Sequence, residues 1–186
     1  VMNVDHANEH GSFDPNVAPI KMSNLCCEID LPTKPLNNYD DREGEISLCT
    51  LSAINWGLIN ETTDLEKYCD LTVRALDELL DYQGYPIEAA KRSTLNRRPL
   101  GVGIINLAYF LAKRGLKYDE SAYEIVDEYA EAWSYYLIKS SANLANEKGK
   151  VIYNSDTKYS KGILPIDTYK KEAIDNLIES RERLPW

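Results

Sequence analysis

Ser23-Asn24-Leu25-Cys26-Cys27-Glu28-Ile29 and, further along, Leu48-Cys49-Thr50-Leu51-Ser52-Ala53 are the stretches on which the reading of this chain turns. Asn24 to Leu31 reads as extended. Side chains then alternate in direction, so Asn24, Cys26 and Glu28 project to one side while Leu25, Cys27 and Ile29 project to the other. An amide, a thiol and a carboxylate converge. That set is unusual on a strand face, because a carboxylate beside a thiol gains little from packing and is costly to bury without partners. Three chemistries compete for it. A protease-type cysteine nucleophile lacks a histidine base on the same face. A zinc site could add His6 and His10 to Cys26 and Cys27, but adjacent cysteines do not have the separation of about two to four residues usual in structural zinc sites. Radical or redox chemistry is the third, with Cys49 as a second thiol on the next apolar run, Ile46 to Ile54.

Outward from these stretches the chain divides into two regimes. Residues 1 to about 57 read as loop and strand: Pro15 and Pro19 punctuate the approach, and Pro32 to Gly44 is a polar, turn-rich connection. From Thr63 the helical period takes over, with Thr63 and Glu66 spaced as a capping box. Leu65, Tyr68, Cys69, Val73, Leu76, Leu79 and Leu80 fall on one stripe, which makes Cys69 a small core residue. Further helices are expected at about Gly101 to Arg114, ended by Gly115, and at about Ser121 to Lys148, ended by Gly149, with a shorter one after Pro165. In the long helix Ala122, Ile125, Val126, Tyr129, Trp133, Leu137, Ser141 and Leu144 share a face, so its aromatics are packing residues.

The 186 residues, 44% of them hydrophobic, suffice for one ordinary domain. No apolar run reaches the roughly 18 residues of a spanning helix, and the amino end is polar, with Asp5, Glu9 and Asp14. A chain with no membrane segment and no export signal is expected. The four cysteines, Cys26, Cys27, Cys49 and Cys69, are too few and too uneven for a disulfide scaffold, which fits a reducing cytoplasm. A net charge of -9 argues against a nucleic-acid footprint. The cluster Lys91, Arg92, Arg97, Arg98 is the one basic place that could grip a nucleotide, although a solvated turn between helices is its commoner role. Val1 at one end, and Trp186 directly after Pro185 at the other, do not read as natural boundaries, so a piece of a longer protein is expected.

Asn24-Leu25-Cys26-Cys27-Glu28-Ile29 followed by Cys49 in its Leu48 to Ala53 setting resembles the active-site region of the class I ribonucleotide reductase large subunit. The similarity continues through Asn3-Val4-Asp5-His6, Leu80-Asp81-Tyr82-Gln83, Arg97-Arg98-Pro99-Leu100-Gly101-Val102-Gly103 and Gly162-Ile163-Leu164-Pro165-Ile166-Asp167-Thr168-Tyr169. It covers essentially the whole chain and looks closest to the bacterial and large-phage branch. The resemblance implies an α/β fold, part of a ten-stranded α/β barrel of two five-stranded halves with a finger loop through its centre. Residues 1–45 would be the finger loop and its connection. Residues 46–186 would start the second half-barrel, helix-rich after residue 63, with Cys49 on its first strand.

The same resemblance implies the roles. Cys26 would carry the thiyl radical, Glu28 would act as base, Asn24 would bind the ribose hydroxyls, and Cys49 would be one thiol of a redox-active pair whose partner lies outside this chain. Cys27, where many relatives carry an aliphatic residue, would turn away from substrate and pack. Tyr135-Tyr136 would be helix packing, because the family's radical-relay tyrosines lie beyond this chain. No cofactor or metal would be bound here: the diiron-tyrosyl or related radical belongs to a separate small (beta) subunit, and ATP and dNTP effectors bind elsewhere. A ribonucleoside diphosphate substrate, the rest of the large subunit, and thioredoxin or glutaredoxin are the implied partners, with a homodimer when complete. The competing expectation is a noncatalytic split-gene half that acts only on assembly with the missing half-barrel.

Overall fold

Leu65, Cys69, Val73, Leu76 and Leu80 recur at helical spacing, and they form the buried face of a helix from Asp64 to Tyr82. A computed structural model describes residues 2–169 and arranges them as α1 (Val4–His10), β1 (Thr50–Asn55), α2 (Asp64–Tyr82), α3 (Glu88–Arg97), β2 (Leu100–Ile105), α4 (Leu107–Ala112), α5 (Tyr123–Lys148) and α6 (Pro165–Tyr169). The described residues fall into two compact units. One holds residues 2–49, Gln83–Pro99 and 150–169; the other holds Thr50–Tyr82 and Leu100–Gly149. The part of the expected half-barrel on residues 170–186 lies outside the described residues.

In the second of these units β1 and β2 pair in parallel, from Thr50 opposite Leu100 to Asn55 opposite Ile105. A parallel pair joined through helices is the repeating unit from which α/β barrels are built. The helix expected from Gly101 to Arg114 is therefore corrected: its first half is β2, and only Leu107–Ala112 is helical. Gly101 and Gly103 weaken a helix, Val102, Ile104 and Ile105 favour a strand, and β1 offers the pairing. Gly115, at φ 70°, closes the turn after α4, with Leu116 N–H donating to Leu111 O. α5 starts and stops as the sequence predicts, with Gly149 at its end, although Ser140 rather than Ser141 is buried. On α2, Tyr68 and Leu79 of the expected stripe are exposed. The capping box is also revised, since Glu66 pairs with Lys139, and Asp64 accepts from the N–H groups of Asn60 and Glu61 ahead of the helix.

The core of this unit gathers Ile54, Trp56, Ile59, Leu65, Cys69, Phe110, Leu111, Ala122 and Tyr129. Trp56, Phe110 and Tyr129 meet with ring centroids 4.8 to 5.8 Å apart, and the Arg114 guanidinium caps Phe110 at 3.8 Å while donating to the Tyr129 hydroxyl. Phe110 is fully buried between the Trp56 and Tyr129 rings. Phe110→Ala is expected to cost about 3–5 kcal/mol. Urea unfolding of the subunit that carries it should show the lowered midpoint.

The other unit holds the loop regime, with two corrections. Val4–His10 is a short helix where loop or strand is predicted, because Asn3 caps it by accepting from His6 N–H. Lys91 to Arg98 is not a solvated turn: residues 88–97 form α3, and its stripe Ala89, Ala90, Ser93, Thr94 and Arg97 is buried. Pro32 to Gly44 is the turn-rich connection that its composition indicates. Its ends are closed by an antiparallel bridge between Lys34 and Glu45, and Asp41 binds the N–H groups of Asn37, Glu43 and Gly44. Those three backbone bonds hold the Asp41 carboxyl well below the usual carboxylate range.

Candidate active site

Asn24 decides the local structure of the loop that bears the conspicuous thiols. Its short amide side chain competes with the backbone for hydrogen bonds, which favours a turn over a strand. The Asn24 Oδ1 accepts from Glu28 N–H and Ile29 N–H, both at 3.0 Å, and Cys27 N–H donates to Asn24 O at 3.0 Å. Ser23 Oγ adds a bond to Ile29 O across the two legs at 2.9 Å. The extended reading of Asn24 to Leu31 is thus corrected to a turn at residues 24–27. Cys27 sits in left-handed backbone at φ 57°, which a side chain without local polar compensation adopts at a cost.

Asn24 and Glu28, two of the three residues expected to converge, meet by another route. Asn24 Nδ2 donates to Glu28 Oε1 at 2.8 Å, so amide and carboxylate meet through the turn rather than along a strand face. Cys26 lies between them in sequence, exposed, next to Leu25 at 98% exposure. Cys27 is exposed as well, which corrects its assignment as a packing residue. Cys49 is half-buried and directly precedes β1, one residue short of the strand on which it is expected. Burial, and then the negative charge of Glu28, push the Cys49 thiol up. The structure therefore joins Asn24 to Glu28 directly, sets the Glu28 charge within electrostatic reach of Cys49, and leaves Cys26 open at the turn.

A thiol whose pKa is raised stays protonated at neutral pH and keeps its hydrogen. A carboxylate with one oxygen anchored by an amide is oriented to accept a proton from a bound hydroxyl. The fourth cysteine differs. Cys69 is fully buried, desolvation pushes its thiol up to about 12, and its Sγ lies 3.9 Å from Trp133 O, all marks of a core residue. Tyr135 and Tyr136 pack edge to face at 5.2 Å. Among the described residues no three of His, Cys, Asp and Glu gather as a metal-binding group, and the His6 and His10 rings meet edge to face with centroids 4.3 Å apart. No described helix is long and apolar enough to cross a membrane.

Sequence reasoning missed Arg97, noted only as part of a basic cluster. Its side chain is 3% exposed and pairs with Glu45 at 2.8 Å and Asp156 at 2.9 Å. The signal was available in the spacing of Ala89, Ala90, Ser93, Thr94 and Arg97, a small-residue helical stripe ending in an arginine.

Comparison with known proteins bears on this geometry. The family model described as "Ribonucleotide reductase, barrel domain" matches residues 1–186. The ribonucleoside-diphosphate reductase subunit alpha of Haemophilus influenzae is 56% identical over all of this chain and 25% of its own length. The subunit alpha of Escherichia coli ribonucleoside-diphosphate reductase 1 is 54% identical over all of this chain and 24% of its own. That of Enterobacteria phage T4 is 43% identical over 98% of this chain and 24% of its own. The chain spans about a quarter of the length of these curated relatives.

Proposed function

The chain belongs to the ribonucleotide reductase family through its barrel domain, and from that premise we propose that it supplies the radical thiol, the base and one redox thiol for reducing ribonucleoside diphosphates. Residues 1–45 act as the finger loop and its connection, and residues 46–186 begin the second half-barrel. The supporting observation is the turn that ties Asn24 to Glu28 around exposed Cys26, with the Glu28 charge felt at Cys49.

The radical is delivered to Cys26 from a separate small subunit. Cys26 as a thiyl takes hydrogen from C3' of the ribose, forming S–H and leaving a carbon radical. Sulfur suits the step because its bond to hydrogen is comparable in strength to an activated ribose C–H bond, so the transfer can run backward at the end. The C3' radical makes its hydroxyl more acidic. Glu28 takes that proton and passes it to the departing 2'-hydroxyl, which leaves as water. Asn24 contributes twice: it orients the Glu28 carboxylate, and the second N–H of its amide can donate to a ribose hydroxyl. Two electrons and two protons then come from Cys49 and a partner thiol elsewhere in the large subunit, which close into a disulfide. Cys26 returns its hydrogen to C3' and is again the thiyl. Thioredoxin or glutaredoxin restores the dithiol.

The base is the role most open to a conservative test. Glu28→Gln keeps the size and the bond to Asn24 but cannot accept a proton. In the complete large subunit, mixed with small subunit and reductant, deoxyribonucleotide formation should fall by about 10²–10⁴. Activity within a few-fold of the parent would remove Glu28 from the mechanism.

A further inference from the structure

The loop that carries Asn24, Cys26 and Glu28 stands on two feet. At the first, Phe13 forms an antiparallel bridge with Thr157, and Asp14 N–H donates to Asp156 O at 2.8 Å. At the second, Lys34 and Glu45 exchange both backbone bonds, at 3.0 and 3.1 Å. One side chain reaches both. Arg97 donates from Nε to Glu45 Oε2 at 2.8 Å and from Nη1 to Asp156 Oδ2 at 2.9 Å, and its guanidinium lies 4.7 Å from the Tyr153 ring and 5.9 Å from the Phe13 ring. Lys34 completes the charge balance at Glu45, at 2.7 Å.

We propose that Arg97 is a positioning residue for this site, tying the two feet of the Cys26 loop together and, through Glu45, aiming the segment that ends at Cys49. The proposal rests on the function assigned above. Stability alone is a poor explanation for such a cluster, because the desolvation of buried ion pairs offsets most of their attraction, and apolar packing would serve as well. A forked guanidinium held by two carboxylates fixes directions, which apolar contacts do not. The lever is long. Cys49 lies four residues beyond Glu45, a span of at most roughly 13 Å at about 3.3 Å per residue, and Ser47 Oγ donates to Pro32 O, which ties this segment to the leg that carries Lys34. A tilt of about 10° at Glu45 would move Cys49 by roughly 2 Å, and a misplacement of about 1 Å can cost on the order of a hundredfold in rate. Glu45 is further held from the α3 side, where Ile46 N–H donates to Ala89 O and Arg92 donates to Gly44 O.

The consequence is specific. Loosening Arg97 should impair delivery of reducing equivalents by Cys49 more than hydrogen abstraction by Cys26. The measured quantity is free base released per deoxyribonucleotide formed, in the complete large subunit with its small subunit and a dithiol. Arg97→Lys keeps the charge, but a single ammonium cannot span Glu45 and Asp156 in the same fork. The ratio should rise about tenfold, toward the behaviour of a Cys49 variant. Asp156→Asn, at a partly exposed position, keeps the Glu45 pair and should raise the ratio by a smaller factor, about threefold. A purely structural role would reduce the amount of folded enzyme, and base and product would fall together at constant ratio. An unchanged ratio in whichever variant is folded overturns the proposal. Cys49→Ser serves as the control: absence of base release there would instead overturn the function from which the proposal starts.

Discussion

Cys49→Ser in the complete subunit is expected to give no deoxyribonucleotide, to release free base, and to destroy the small-subunit radical when substrate is added. The reasoning follows the order of events. Cys26 and Glu28 are untouched, so hydrogen leaves C3' and water leaves C2'. The resulting intermediate then meets a serine hydroxyl, which cannot join a second sulfur in a disulfide and so cannot donate the two electrons that reduction requires. With no reductant the sugar radical decomposes by losing its base, and the radical equivalent is not returned. Base release by chromatography and radical decay by electron paramagnetic resonance should run in parallel. Normal turnover with a dithiol reductant would show that Cys49 is not the redox thiol.

Cys26→Ser should fail earlier and more quietly. The O–H bond of serine is much stronger than S–H, so the radical relay has no accessible oxygen radical to form and no hydrogen is taken from C3'. Product and base release should both be absent, and the radical signal should persist unchanged when substrate is added. Cys27 cannot substitute on this account, although it is adjacent and also exposed, because its left-handed backbone at φ 57° directs its side chain differently from that of Cys26. The two cysteine variants therefore separate initiation from reduction.

How much of this was legible in the sequence depends on the range of the interactions. α2 and α5 could be read directly, since long runs at helical spacing and terminal glycines are local signals. β2 could not: Leu100 to Ile105 is apolar enough to suit either state, and what decides it is pairing with β1, far away along the chain. The turn at residues 24–27 escapes an alternation pattern because it is set by Asn24, whose side chain binds two N–H groups four and five residues ahead. The grouping of Asn24 with Glu28 was nonetheless foreseen, since a turn and a strand both bring such neighbours together. Arg97 was hidden for a different reason. The stripe of small residues it ends is a local hint of burial, but its carboxylate partners lie 52 and 59 residues away, and no local pattern names them. The family resemblance supplied the barrel, which periodicity did not contain.

Peptide mapping after turnover without external reductant puts the assignment of the thiols to the most direct test. The complete large subunit, with any further redox-active cysteines outside the Cys49 pair replaced by serine, would be fully reduced, mixed with small subunit and a ribonucleoside diphosphate, quenched with a thiol-blocking reagent, and digested. The account predicts about one deoxyribonucleotide per subunit, Cys49 recovered in a disulfide with a cysteine from outside this chain, and Cys26, Cys27 and Cys69 recovered as blocked free thiols. Product formed with Cys49 free, or with Cys26 locked in the disulfide, would contradict it.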